Sequence, residues 1–475
     1  MWIVNAAWAL HLTALGVLAV YGAHRAWLVA HAWRQRRIEP PAAPIGDVHP
    51  HVTVQLPIYN EPEVAARLID AACRLEWPRD RLEIQVLDDS TDDTTAIVAA
   101  RVAAWRAEGV DAVHVRRDDR AGWKAGALEA GRARARGELL LVLDADFVAP
   151  PRLLVDAVGH FADPAVGMVQ LRWDHLNRAS TPLTQIEALL LDGHFAIEQR
   201  GRAHRGCAFN FNGTAGVWRA SAIADAGGWH ADTLTEDLDL SYRAALRGWR
   251  FVLVTARGVP AELPARMPAF RGQQFRWAKG SIEVARKLGP ALVRAPWPWW
   301  HRVEALFHVT HNVPYLATAV LVVTSAVTLG IGGGPAWAGP LQIAAAAITA
   351  IVIGGYAIAS QSILGRRGMF AALLRTPPLV ALTAGISLGQ ARAVLEGATG
   401  HRSEFVRTPK DGVVGAEKPR RGCRRASGWF EIVTACGLAA GCAAALSRGA
   451  IVESMYLIVF SSGLAWVGLA SIRDW

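Results

Sequence analysis

The stretch ELLLVLDADF, Glu138 to Phe147, is an unbroken apolar run that ends in two aspartates. Short apolar runs bounded by polar turn signals read as strands. Asp144 and Asp146 stand two apart at the strand end, so both side chains can lean to one side. Close carboxylates repel each other unless a cation sits between them. Oxygen ligands of this kind suit Mg²⁺ or Mn²⁺ shared with a phosphate. An acidic turn in solvent would give the same pattern.

Working outward, the same rhythm recurs. Strands are expected at VTVQLPI (52–58), EIQVLDD (83–89), AVHVRR (112–117) and GMVQLRW (167–173), with helices at 61–75, 92–108 and 123–135. Short apolar runs alternating with amphipathic helices indicate an α/β domain with a mostly parallel sheet. Ligands of such sheets bind outside the carboxyl ends of the strands. Three of the runs end there in polar signals: YNE, DDS and DAD.

Each neighbouring motif has a functional and a bland reading. In LDDSTDDT, Asp88 and Asp89 end a strand, while Ser90, Thr91 and Asp92 can cap the next helix. In GWKAGAL, Lys124 precedes a helix, where the dipole disfavours a cation unless an anion is present; a solvated lysine is the alternative. In DTLTEDLDLSYRAALRGW, Thr233 and Glu236 fit a capping box and Gly248 a C-terminal stop. Glu236 and Asp237 then lie in the first turn. Dipole matching accounts for them, and so does a general base at the helix mouth.

Composition shows where this domain ends. The 475-residue chain is 52% hydrophobic and 19% charged, greasier than an ordinary soluble enzyme. Apolar runs of spanning length lie at roughly 4–23, 305–330, 340–361, 429–447 and 450–471. The first has basic residues after it and none before, which reads as a signal anchor with its N-terminus outside. The net charge of +9 clusters beside these runs, the positive-inside pattern of a membrane protein rather than a nucleic-acid binder. A sixth stretch, 370–395, carries Pro-Pro, Arg375, Ser387, Gln390, Arg392 and Glu396. If it lies in the interface as an amphipathic helix near 372–397, every basic loop falls on one side. The expected plan is an anchor and basic linker (1–46), a cytoplasmic domain (47–290), and a membrane region (291–475) with about four spans. The five cysteines show no CxxC pair and read as free thiols.

PIYNE, LDDS, GWKAGAL, DAD, FNGTAG, TED and QQFRW follow one another in the order seen in processive family 2 glycosyltransferases. The chain resembles the cellulose synthase superfamily, and within it the mannan and glucomannan synthases through VQLRW, FNGTAGVWR, GGW and EDLDLSYRAALRGW. The resemblance covers about residues 50 to 290. It implies an α/β GT-A fold joined to a transmembrane helical region, and an inverting transferase using UDP-glucose or GDP-mannose. By the same resemblance Asp88 and Asp89 would contact the nucleotide, with Tyr59 and Glu61 near base and ribose. Lys124 would hold the diphosphate, and Asp144 and Asp146 would bind it through Mg²⁺ or Mn²⁺. Asp237, with Glu236 beside it in TED, would be the base. Gln273, Arg276 and Trp277 would hold donor phosphates and the acceptor sugar. FVRTPKDG resembles a gating loop (403–412) at Phe405, Thr408 and Lys410, with Arg407 where that motif has Val. A basic cytoplasmic linker reads equally well.

One span precedes the domain and only RDW follows the last one, which makes cellulose the less expected product. The expectation is a polymerase of a β-linked, β-1,4 glycan that passes the growing chain across the lipid bilayer. The alternatives are a single-transfer enzyme making a glycolipid, and a transporter or scaffold with a dead transferase domain. Lys279, in QQFRWAKG, is expected to face lipid phosphate.

Overall fold

The computed structural model describes residues 2–46, 49–331, 338–366, 368–401, 428–449 and 451–474. Phe405, Thr408, Lys410 and Cys423 lie outside these residues. Among the described residues, seven strands form one sheet: β1 (Val52–Ile58), β2 (Leu82–Asp88), β3 (Ala112–Arg116), β4 (Leu139–Val142), β5 (Val166–His175), β6 (Gly216–Arg219) and β7 (Arg250–Ala261). Their order is β3-β2-β1-β4-β6-β5-β7. β1 pairs in parallel with β2 and β4, β2 with β3, and β5 with β7. β6 runs antiparallel to both of its neighbours, β4 and β5.

The apolar run that opened the sequence is the central strand β4. Leu139 and Leu141 enter one core and Leu140 and Val142 the other. A strand covered on both faces has no room for alternation, which is why this run is continuous. The strand stops at Val142, so Asp144 and Asp146 lie in the turn beyond it rather than on the strand itself. Asp144 is about one-third exposed at its side chain, whereas Asp146 is buried; the two carboxylates are not presented alike.

The TED helix runs Glu236–Leu246 with Thr235 at its N-cap, and no side-chain capping bond forms. The expected Thr233–Glu236 box is therefore absent. Tertiary contacts set the start instead: the Leu234 N–H donates to Glu283 Oε2 at 2.8 Å. Gly280 lets Thr235 approach closely, since a Cβ there would fall 2.5 Å from Thr235 Cγ2. Gly248 closes the helix with φ +93°, a backbone state that favours glycine.

Among the described residues, five helices are long and apolar enough to cross a membrane: Asn5–Arg34, Gly339–Ile363, Met369–Thr399, Trp429–Ser447 and Ser454–Arg473. The apolar run at 305–330 is broken, with Trp299–Val309 and Val313–Ser325 meeting at 57°. Around the break, His308 bonds Tyr242 Oη and Asn210 Oδ1, and Asn312 donates to Ser281 Oγ. These polar side chains at the break are turned to protein partners, Tyr242, Asn210 and Ser281.

Contacts at the helix ends fix which ends lie beside the domain. Gln361 and Arg366, closing one apolar helix, bond Asp192 and Asp174. Glu431 opens another and pairs with Arg271. Asp474, after the last, accepts the Met267 N–H. The segment 369–399 differs, because both its ends touch the domain. Arg375 donates to Gln185 and Lys279 donates to Glu396. Lys279 does not face lipid phosphate. Its side chain is fully buried, and it also donates to the His401 carbonyl at 2.5 Å. Of the described cysteines, Cys73, Cys207 and Cys442 are buried and Cys436 is exposed, all as free thiols.

Candidate active site

The carboxyl ends of β1, β2 and β4, the start of the TED helix and the helix Met267–Arg294 surround one cleft. Its atom-free space is about 1250 Å³ including the open mouth. Of the residues singled out from sequence, Tyr59, Glu61, Asp89, Lys124, Asp144, Asp146, Glu236, Asp237, Gln273, Arg276 and Trp277 line it.

Asp88 is not among them. It ends β2 with 1% exposure, and its carboxylate takes hydrogen bonds from His114 Nε2 at 2.8 Å, Arg116 at 3.3 Å and the Ser90 N–H at 2.8 Å. Burial pushes its carboxyl up, but the bonds from His114 and Ser90 outweigh that and bring it down to about 2. Asp88 therefore fastens β2 to β3, and Asp89 reaches the cleft. Asp89 is gripped by Arg117, whose Nε donates at 2.9 Å. Tyr59 carries the Arg120 guanidinium over its ring, 3.3 Å from the centroid.

Lys124 begins the helix Trp123–Arg132. Its Nζ donates to Asp144 Oδ1 at 2.5 Å and to the Gly213 carbonyl at 2.9 Å. Burial pushes the ammonium down, yet the carboxylates of Asp144, Glu236 and Asp237 hold it above its ordinary range. Asp237 behaves oppositely. Burial, then the neighbouring Glu236 charge, push its carboxyl up to about 7 against the pull of Lys124. Its Oδ1 accepts the Leu238 N–H at 2.8 Å. Burial holds the Arg276 guanidinium below its ordinary range, opposed by Glu236, Asp144 and Asp237. Three carboxylates and two cations thus share one low-dielectric space, where charges act strongly on one another. The side-chain oxygen of Gln273 is buried with no hydrogen-bond donor among the described residues.

The donor set suits a hard divalent cation. Asp144 and Asp146 supply carboxylate oxygens from one turn, and two carboxylates plus diphosphate oxygens and water are what Mg²⁺ or Mn²⁺ takes. The turn is braced, as the Asp144 N–H donates to Thr214 Oγ1 at 2.8 Å and Arg67 donates to the Asp146 carbonyl.

The sequence did not single out Arg120, Trp173, His175, Glu187, Asn212 or Gly213, which also line the cleft. VQLRW and FNGTAG hold three of them, Trp173 near the end of β5 and Asn212 and Gly213 just before β6. Their signal is position: both segments approach the carboxyl edge of the sheet, the second because β6 is reversed.

Residues 49–280 match the model of the glycosyltransferase-like family 2. The chain is 40% identical over 292 residues to a probable glucomannan 4-β-mannosyltransferase of Arabidopsis thaliana, covering 59% of this chain and 53% of that one. It is 39% identical over 287 residues to a probable glucomannan 4-β-mannosyltransferase of Oryza sativa subsp. japonica, covering 58% and 52%. The chain thus spans about half the length of these curated relatives. Among solved structures, a mannosyltransferase from Pyrobaculum calidifontis, in complex with GDP-Man and Mn²⁺, superposes with a TM-score of 0.56 at 24% identity. The match covers 74% of this chain and 98% of that one, and it shows that the domain has the GT-A fold.

Proposed function

We propose, from the match of residues 49–280 to the glycosyltransferase-like family 2 model, that the chain is an inverting membrane glycosyltransferase extending a β-1,4-linked mannan or glucomannan from GDP-mannose. The observation that carries this reading is the meeting, in one cleft, of Asp237 with the Lys124–Asp144 pair and with Gln273, Arg276 and Trp277. The named activities of the Arabidopsis and rice relatives, and the GDP-Man held by the Pyrobaculum protein, favour GDP-mannose over UDP-glucose.

A sugar hydroxyl is a poor nucleophile. Asp237 accepts its proton as the hydroxyl oxygen forms a bond to the anomeric carbon. The bond from that carbon to the diphosphate oxygen breaks, and GDP leaves from the opposite face, so α becomes β. A carboxyl near 7 is matched to that role at neutral pH. Lys124 and Arg276 place positive charge where the leaving group gains negative charge. A Mg²⁺ or Mn²⁺ held by Asp144 and Asp146 would add charge neutralisation there. Trp277 offers a flat face to the acceptor ring, and the Gln273 oxygen takes a sugar hydroxyl. Tyr59, Glu61 and Asp89 lie on the nucleotide side.

The helix-end contacts support a topology with the domain in the cytoplasm and the N-terminus outside. One end of each of the helices 339–363, 429–447 and 454–473 is tied to the domain, and the last helix returns its C-terminus there. A helix of 24 residues, Thr376–Thr399, extends about 36 Å, yet both ends of its segment rest on the domain. That supports an interfacial helix and five spans, including the helix after the bend. An acceptor delivered to Trp277 lies beside these helices, which supports passage of the product across the bilayer.

The test is synthesis in proteoliposomes from labelled GDP-mannose. Long product cleaved by endo-β-mannanase, lost in Asp237→Asn while GDP binding persists, supports the reading. Label confined to short, lipid-extractable product would replace polymerisation by glycolipid synthesis. Incorporation from UDP-glucose alone would overturn the donor.

A further inference from the structure

The loop Asn210–Thr214 touches each part of the charged centre. The Gly213 carbonyl accepts from Lys124 and Thr214 Oγ1 accepts from the Asp144 N–H. Gly213, at φ +80°, packs so closely that a Cβ would lie 3.0 Å from Asp237 Oδ2. What holds this loop therefore sets the distances among those groups.

Its underside is held by one turn of π-helix, His194–Gln199. Residues five apart diverge on an α-helix, whereas the wider π turn brings His194 and Gln199 beneath the loop together. Gln199 Nε2 donates to the Asn210 carbonyl at 2.9 Å and to Asn212 Oδ1 at 2.9 Å. Asn212 Nδ2 meets His194 Nε2 at 2.8 Å, and His194 Nδ1 meets Glu198 Oε2 at 3.2 Å. One arrangement satisfies both contacts: Asn212 donates to Nε2, and Nδ1–H donates to Glu198.

Beyond Glu198 the chain of bonds enters the apolar helices. Glu198 Oε1 accepts from Tyr356 Oη at 3.1 Å, on the helix Ala338–Ile363, and from Arg25 at 3.3 Å, on the helix Trp2–Arg34. The π turn is seated directly on them. A Cβ at Gly193 would fall 2.0 Å from the Tyr356 ring, and one at Gly201 3.1 Å from Leu28.

We propose that Glu198 is a positioning residue for the reaction: through His194 and Asn212 it hangs the loop Asn210–Thr214 from the two membrane helices that carry Arg25 and Tyr356. The catalytic distances are thereby set in part by helices far from the donor site in sequence. The kinetic part of this inference rests on the proposed transferase reading; the structural part does not.

Tyr356→Phe removes one hydroxyl, Glu198→Gln removes the charge, and Gly193→Ala wedges the π turn off its seat without deleting a polar group. Hydrogen–deuterium exchange of peptide 207–216 is measured in monodisperse full-length protein, with peptide 52–58 as the internal control, alongside kcat, the KM for GDP-mannose and GDP binding. In the variants that fold, exchange in 207–216 rises at least ten-fold with 52–58 unchanged, kcat falls at least ten-fold, and KM and GDP binding stay within two-fold. Exchange in 207–216 within two-fold of wild type in Tyr356→Phe and Gly193→Ala overturns the proposal. So does equal loosening of 52–58, and so does an unchanged kcat beside a loosened loop. If wild-type protein transfers no mannose while the loop loosens as stated, the activity reading fails and the positioning role stands.

Discussion

Replacing Lys279 by methionine keeps the length of the side chain and removes its charge. In the folded protein the ammonium is fully buried, 3.3 Å from Glu396, 4.0 Å from Glu283 and 2.5 Å from the His401 carbonyl. Without it, one carbonyl loses its donor and two carboxylates lose a counter-charge. Removing one partner of a buried pair is worth about 3–5 kcal/mol. The lower end applies, because Glu396 keeps Arg392 at 2.8 Å and Glu283 keeps the Leu234 N–H. About 3 kcal/mol corresponds to a fall in Tm of roughly 6–12 °C for a unit the size of the α/β domain. Intrinsic tryptophan fluorescence in detergent reports it, with 19 tryptophans as probes. Lys279→Met combined with Glu396→Gln should recover about half the loss, since the uncompensated carboxylate goes too. A Tm for Lys279→Met within about 1 °C of wild type would refute the burial argument, as would a double variant no better than the single one.

With the Asp237 carboxyl at about 7 and its ionised form acting as base, kcat should fall about ten-fold per unit as pH drops below that value; a profile flat from pH 6 to 8 counts against the base assignment. Asp88→Asn removes a carboxylate whose folded value, about 2, lies below its unfolded 3.8. Its contribution, about 2 kcal/mol, is present above the unfolded value and fades as pH falls from about 4 toward 2, so urea titrations of the two proteins should converge over that window. Gly213→Ala places a methyl 3.0 Å from Asp237 Oδ2 and 3.5 Å from Lys124 Nζ at φ +80°; kcat should fall at least ten-fold in protein that keeps its circular dichroism.

The strands with continuous or alternating apolar residues were legible, and β1 through β5 lie where their runs predict. β6 has four residues, too few for a period to register. β7 is interrupted by Arg257 and Gly258, where its pairing with β5 shifts register. At the site, Lys124, Asp144 and Asp237 could be read because their types and order are distinctive. Asp88 and Asp89 could not be told apart, since only the sheet determines which of two adjacent carboxylates meets His114. The interior position of Lys279 was hidden for a similar reason: its partner Glu396 is 117 residues away.

The reversal of β6 has one more effect. Gly216, its first residue, pairs with Val142, the last of β4, so everything between β5 and β6 leaves the sheet and returns to it at the same edge. Residues 176–215 are in that sense a cartridge. They carry the π turn, its seat on the apolar helices and the loop under Asp237, while no strand pairing depends on their length. Exchanging that cartridge between two related chains would change the cleft wall and its mounting together, and leave the β1–β4 half of the sheet as it was.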